Sequence, residues 1–392
     1  MKVSLGSWFL RTLAIFSLLS LSGWAVASDV HYLITNDDVP PPLFNGISIY
    51  TIAPNGQLTF KQAVRPGGQG IGGGFFGTNR VRVADVESTE CVYFSEAFDG
   101  DIVGVQLSNG SVAGIFQGSA GDAGTSNGIG LALNSQYLYA SFTDSNTIGT
   151  FQLQPGCGLA FVNDISVAGL QGGVIDAMAV HGNMLLVTFG DGSIESFNIA
   201  GGTPVPNGDE QNSTAAIAAQ GATYPSSVDI TSDGHFAIFG DTSTSAVVEV
   251  SDISSGHLNT TVVYQTNAVI SSSNLMLSPD ETLLYVVGTQ GDRLGAVFFD
   301  KSTGKVSGGC LSGLIRGYSQ DWSYLAGLSL AGNSGTGEEV FIAEFGAPSS
   351  IAMVRVNSAN GKCSLSEAPN SPVADTNSSG LLSIGTFPPR LF

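Results

Sequence analysis

Apolar and polar positions alternate in short runs along nearly the whole chain, and the runs recur in one order. An alternating segment leads into a short turn. A β-branched or aromatic run follows, then an Asp/Gly/Asn turn, a second alternating run and a Gly-containing turn. Period-two alternation over about four to eight residues predicts strands, and the turn residues supply the backbone geometry of tight reversals. The clearest copy is NLMLSPDETLLYVVGTQGDRLGAVFFDKSTGKV at 274–306. Further copies cover 83–112, 130–159, 177–199 and 227–258, with a looser one at 326–365 and one at 31–60 that starts midway.

Anchored on the second strand, the seven copies align at Leu33, Tyr93, Tyr139, Leu186, Ala237, Tyr285 and Phe341, at intervals of 46 to 60 residues. Four short strands per repeat at a period of roughly 40–50 predict a β-propeller. One four-stranded sheet cannot cover both of its faces, whereas sheets stacked in a ring cover each other. The expected fold is all-β, a seven-bladed propeller of four-stranded antiparallel blades forming one domain over 28–392. The first copy lacks its innermost strand. Gly380–Gly385, GLLSIG, reads as that strand, supplied by the C-terminus and laid beside His31–Thr35.

Lys2 and Arg11 precede a short apolar run, Leu13–Leu21, which is followed by a stretch ending in Ala25-Val26-Ala27. This is the layout of a secretory signal peptide over 1–27, cleaved before Ser28. The mature chain is therefore expected to be secreted or periplasmic, with no membrane span. The formal net charge is −19, and the leader holds two of the 13 cations and no acid, so the mature chain falls to −21. Such a surface repels phosphate backbones and excludes nucleic acid as a partner. A small molecule or a protein is the expected ligand, a monomer the expected state, and no cofactor is implied. In an oxidising compartment Cys91, Cys157, Cys310 and Cys363 suggest disulfides. The repeat register pairs Cys91 with Cys157 and Cys310 with Cys363, on neighbouring copies; four buried free thiols are the other reading.

At SPDETLLYVV, LGAVFFD and STGKV the chain resembles the lactonase-type seven-bladed propellers, which include 6-phosphogluconolactonase-like and YVTN-repeat proteins. Ser232-Asp233-Gly234-His235 and Tyr137-Leu138-Tyr139 repeat parts of the pattern. The resemblance implies a propeller and, as a candidate activity, opening or closing of a lactone ring. It does not by itself specify an activity.

Lactone chemistry wants a general base and a cation for the developing oxyanion. The four histidines fall in turns or outer positions by register, which leaves Asp176 as base and Arg82 or Arg316 as electrophile. Arg82, Asp176, Ser226, Asn274 and Tyr324 lie on innermost strands, where they can line a channel. The loop Arg316-Gly317-Tyr318-Ser319-Gln320-Asp321-Trp322 combines a cation with aromatics and reads as a recognition surface. Residues 65–77, RPGGQGIGGGFFG, read as a flexible flap carrying Phe75 and Phe76; their G-x-G-x-x-G lacks the following helix of a dinucleotide site. Asp38, Asp99, Asp144, Asp191, Asp241 and Asp292 recur in the turns between second and third strands. They read as turn caps, or alternatively as a ring of carboxylates for a cation such as Ca²⁺. The favoured function is an exported binding or interaction module, with a lactonase-type hydrolase as the alternative.

Overall fold

The computed structural model describes residues 31–73, 78–118, 128–212, 225–241, 247–265, 274–287, 293–316, 324–331, 338–346, 349–359, 361–381 and 383–388. Their strands form seven antiparallel sheets arranged as a ring of blades. The second blade sets the pattern, running from the channel outward as Val81–Val86, Thr89–Glu96, Asp101–Gln106 and Ser111–Gln117. In the fourth blade the outer place is shared by Val205–Pro206 and Gln211–Asn212, both paired with Ser193–Asn198. No helix among the described residues is long and apolar enough to cross a membrane.

The hydrophobic core is divided into seven clusters, one at each joint between neighbouring blades. The cluster between the seventh and first blades contains Phe341 and Met353 from one side and Leu33 and Tyr50 from the other. A middle strand packs against a blade on each face, so Met184–Phe189 and Leu283–Val287 are buried at every position. The outermost strands face solvent, and in Ser111–Gln117 no residue is fully buried.

The disulfides join neighbouring blades as the repeat register indicated, Cys91 to Cys157 and Cys310 to Cys363. Sequence separations of 66 and 53 residues correspond to roughly 4 kcal/mol each of lost freedom in the unfolded chain.

The C-terminus completes the first blade, three residues further along than the sequence suggests. Ser383–Phe387 pairs with Tyr32–Asn36, in a register running from Tyr32↔Phe387 to Asn36↔Ser383. Gly380 is not part of this strand. A Cβ there would lie 2.5 Å from the carbonyl carbon of Gly72, so the chain must first pass that loop before it can pair. Leu381 and Ile384 sink into the joint between the seventh and first blades.

Two buried acids meet at this closure. Asp37 follows the first-blade strand His31–Asn36, and Asp375 precedes the closing segment; both are fully buried. Thr35 Oγ1 donates to Asp37 at 2.6 Å, Ser48 Oγ at 3.2 Å, and the Arg65 guanidinium stands 3.6 Å away. Burial and then the nearby Asp375 carboxylate push Asp37 up to about 7, against the pull of those hydroxyls and Arg65. Burial raises Asp375 as well.

Deleting 378–392 removes the inner strand and two buried aliphatic side chains, and should lower stability by roughly 5 kcal/mol or abolish folding. Urea denaturation against full-length protein checks this; an unchanged midpoint would refute the closure. A second prediction follows from Asp37. An acid with a raised folded-state value binds its proton more tightly when folded, so its stabilisation is complete at low pH and is lost as pH rises from about 4 through about 7. Asp37→Asn should flatten this part of the profile, gaining on wild type by on the order of a few kcal/mol between pH 5 and 8. Thermal unfolding across that range is the measurement, and parallel profiles would contradict the assignment.

Candidate functional site

The innermost strands of all seven blades surround a channel holding a cavity of about 230 Å³. Its wall mixes aliphatic and polar groups, the aliphatic ones including Ala132, Leu133, Val180, Leu275 and Met276. Its polar groups are Arg82, Asp229, Asn79, Asn274 and the hydroxyls of Ser329 and Thr386, which lie 2.8 Å from each other.

Strand alternation puts Arg82 there. Val81 and Val83 turn into the joint with the first blade, so the intervening Arg82 turns toward the third blade, where it borders the cavity. Arg82 Nε donates to the Leu131 carbonyl at 2.8 Å, which fixes the guanidinium against the third blade. Burial draws this arginine down to about 10, and the negative charge of Asp229 pulls it partly back. Asp229 sits in the fifth blade on the inner strand Pro225–Ile230. It accepts the Ile230 N–H at 2.9 Å and, across the joint, the Leu277 N–H at 2.8 Å. Asp229 was missed in the sequence, although a lone acid between Val228 and Ile230 on an inner strand carried the same signal as Arg82.

The loops before first strands and the turns between second and third strands share one face, here the upper one. The described parts of the loop 65–80 are pinned at this face by backbone hydrogen bonds to neighbouring blades. Gly70 N–H donates to the Val39 carbonyl in the first blade at 2.7 Å and Phe98 N–H to the Gln69 carbonyl at 3.1 Å. Beyond residue 77, Thr78 N–H reaches the Asp176 carbonyl in the fourth blade at 3.0 Å, and Leu131 N–H of the third blade donates to Asn79 at 3.1 Å. Phe75 and Phe76 lie outside the described residues.

A buried ion pair holds the loop's base. Arg80 Nη1 stands 2.6 Å from Asp38 Oδ2, with both side chains at most 2% exposed, and also donates to the Gly73 carbonyl at 2.9 Å. Asp38 accepts the N–H groups of Ile71 at 3.1 Å and Gly73 at 2.8 Å. Burial raises its carboxyl, and Arg80 and those amides oppose the rise. Two further turn aspartates repeat this use. Asp99 accepts the Gln69 N–H at 2.7 Å, and Asp191 accepts N–H groups of Gln171, Gly173 and Ser193. They tie the loops of the upper face to the turns. No group of three or more His, Cys, Asp or Glu that could hold a metal occurs among the described residues. Asp292 and the side chain of Asp241 lie outside the description.

The proposed catalytic residues stand in three settings. Asp176 is fully buried at the top of the fourth blade's inner strand. Arg82 is in the channel, where Asp229 is the carboxylate that acts on it. Arg316 is exposed beyond the sixth blade, donating to Glu367 at 3.2 Å and to the Ala368 carbonyl at 2.7 Å. Asn274 lines the channel; Ser226 is buried but is not part of the cavity wall. Tyr324 begins the seventh blade's inner strand, its side chain outside the description, as are Tyr318 and Trp322.

Replacing Arg80 by Met leaves Asp38 buried without its counter-charge and should cost 3–5 kcal/mol, on the order seen when one partner of a buried pair is removed. The double change with Asp38→Asn should recover part of that loss in urea denaturation; an unaltered single variant would contradict the pairing.

The chain matches no protein-family model and no curated protein. Solved structures do resemble it. A protein provisionally designated a 6-phosphogluconolactonase from Bacteroides fragilis aligns with TM-score 0.64 at 14% identity, over 92% of this chain and 99% of that one. A second protein so designated, from Bacteroides uniformis, gives 0.65 at 13%, over 91% and 99%. A protein of unknown function from Desulfotomaculum acetoxidans gives 0.61 at 13%, over 91% and 98%. Identities this low speak to the fold alone: the chain is a seven-bladed β-propeller, as its sheets show, and it shares that fold with these structures.

Proposed function

We propose that this chain is an exported binding module that takes a ligand in its central channel. The observation that carries the reading is the channel cavity, whose wall mixes aliphatic groups with polar ones and includes Arg82 and Asp229. A concave apolar site with a few convergent polar groups is the usual form of a small-molecule site. Export is supported by the leader at 1–27 and by two inter-blade disulfides, which persist in oxidising compartments.

The second reading, a lactonase, is favoured by the likeness to the two provisionally designated 6-phosphogluconolactonases. Hydrolysis needs a base and an oxyanion partner converging on one carbonyl. Asp176, Arg82 and Arg316 do not provide this convergence, since Arg316 is held at the outer end of the seventh blade and Arg82 answers to Asp229. A phosphorylated substrate would also meet a single channel arginine in a chain of net charge −19.

Purified protein given a panel of unphosphorylated lactones should show no hydrolysis above background, with Asp176→Ala indistinguishable from wild type. Turnover that disappears in Asp176→Ala would establish the enzyme instead.

A further inference from the structure

We infer that the disulfide between Cys310 and Cys363 is a thiol-exchange site, where a small external thiol enters the cavity beside Cys363 and is taken up on that sulfur. Cys91–Cys157, by contrast, is a permanent tie.

The two disulfides have different surroundings. Cys91 lies on the middle strand Thr89–Glu96 and Cys157 in the turn before Gly158–Ser166; both are fully buried within the cluster between the second and third blades. Cys310 and Cys363 lie instead on the outermost strands of the sixth and seventh blades, Lys305–Leu311 and Lys362–Glu367. They are only partly buried, at the margin of their cluster. Disulfides exchange by attack of a thiolate on one sulfur, so access decides which of two bonds opens.

Local sequence leaves the outer bond approachable. Gly308 and Gly309, both exposed, precede Cys310 and bring no side chain to cover it. On the seventh blade, the hairpin of Ser350–Ala359 and Lys362–Glu367 borders an open cavity of about 560 Å³, lined by Asn357, Ser358, Lys362, Cys363 and Ser364 among others. Cys363 is part of this wall and Cys310 is not, so an incoming thiol meets the Cys363 sulfur first. Lys362 adds a positive charge to the same wall in a chain of net charge −19. A cation beside the site favours the thiolate, the reactive form.

The exchange balances with the thiol alone. The external thiolate bonds to Cys363 Sγ, the Cys310–Cys363 bond breaks, and Cys310 leaves as a thiolate that takes a proton from water. Return attack by Cys310 on Cys363 Sγ expels the thiol and restores the bond. Attack by a second external thiolate on the bound thiol's sulfur releases the oxidised dimer of the reagent and leaves Cys363 reduced.

The fold tolerates the open state. Tyr285, Leu294, Ile315, Val340 and Val354 pack the joint between the sixth and seventh blades without help from either sulfur. Exchange therefore loosens the outer margin of one joint and leaves its core closed.

The test treats the full chain with millimolar reduced glutathione, quenches with iodoacetamide and maps the peptides by mass spectrometry. Glutathione should appear on Cys363 and the alkyl group on Cys310, with Cys91–Cys157 opening at least about tenfold more slowly. The rate should hold in sub-denaturing urea, because attack occurs on the folded ring. Lys362→Glu should slow this anionic thiol about two- to threefold at low ionic strength and not at high salt, with circular dichroism as in wild type. Equal opening of both disulfides, a rate that climbs with urea in step with global unfolding, or glutathione chiefly on Cys310 overturns the inference. A Lys362→Glu rate equal to wild type at low salt removes the cavity as the entry route and overturns it as well.

Discussion

The structure depends on one requirement, that every blade have a neighbour on both faces. A sheet whose second strand is buried at all positions, as Met184–Phe189 is, exposes an apolar surface as soon as the adjoining blade is absent. Seven joints satisfy this only if the last blade meets the first, and the first is complete only when Ser383–Phe387 adds its inner strand. Five paired residues at the chain's two ends therefore decide whether the other joints close a ring. The channel and the desolvation of Arg82 exist because that ring is shut.

The acidic composition takes on a structural meaning in this setting. With 32 acids, the chain could be taken for a cation binder. Many of these carboxylates instead accept backbone amides in turns and loops. Asp191 collects three N–H groups and the Ser193 hydroxyl, and these bonds hold its carboxyl below the ordinary range despite partial burial. Others are buried enough to rise, Glu96 to about 8 through burial and the neighbouring Asp101 and Asp99. The same residue type thus serves as a fixed acceptor in open turns and as a proton-holding group under the loop 65–80.

The repeat was legible because its signal is periodic. Turn residues and second-strand anchors recur at spacings that survive local variation, and the cysteine pairing followed once the copies were aligned. The site was only half legible. Arg82 stood out as a cation on an inner strand, but its counterpart Asp229 lies 147 residues further on, in a blade whose relation to it emerges only from ring geometry. The Arg80–Asp38 pair was hidden for a different reason. Asp38 resembles the other turn aspartates, and a loop whose glycines suggest mobility gives no hint that its base is locked by a buried charge pair. Nor can local pattern reveal that Thr78 bonds to Asp176 from two blades away.

The disulfides fall on either side of the closing blade, one binding the second blade to the third and the other the sixth to the seventh. The first blade, assembled from both ends of the chain, sits between these two covalent ties. If its terminal strand peels away, unzipping meets a cross-link after one blade in either direction. The molecule thus has a designated seam with a rivet on each side, and breathing of the ring is confined to the sector where the chain begins and ends.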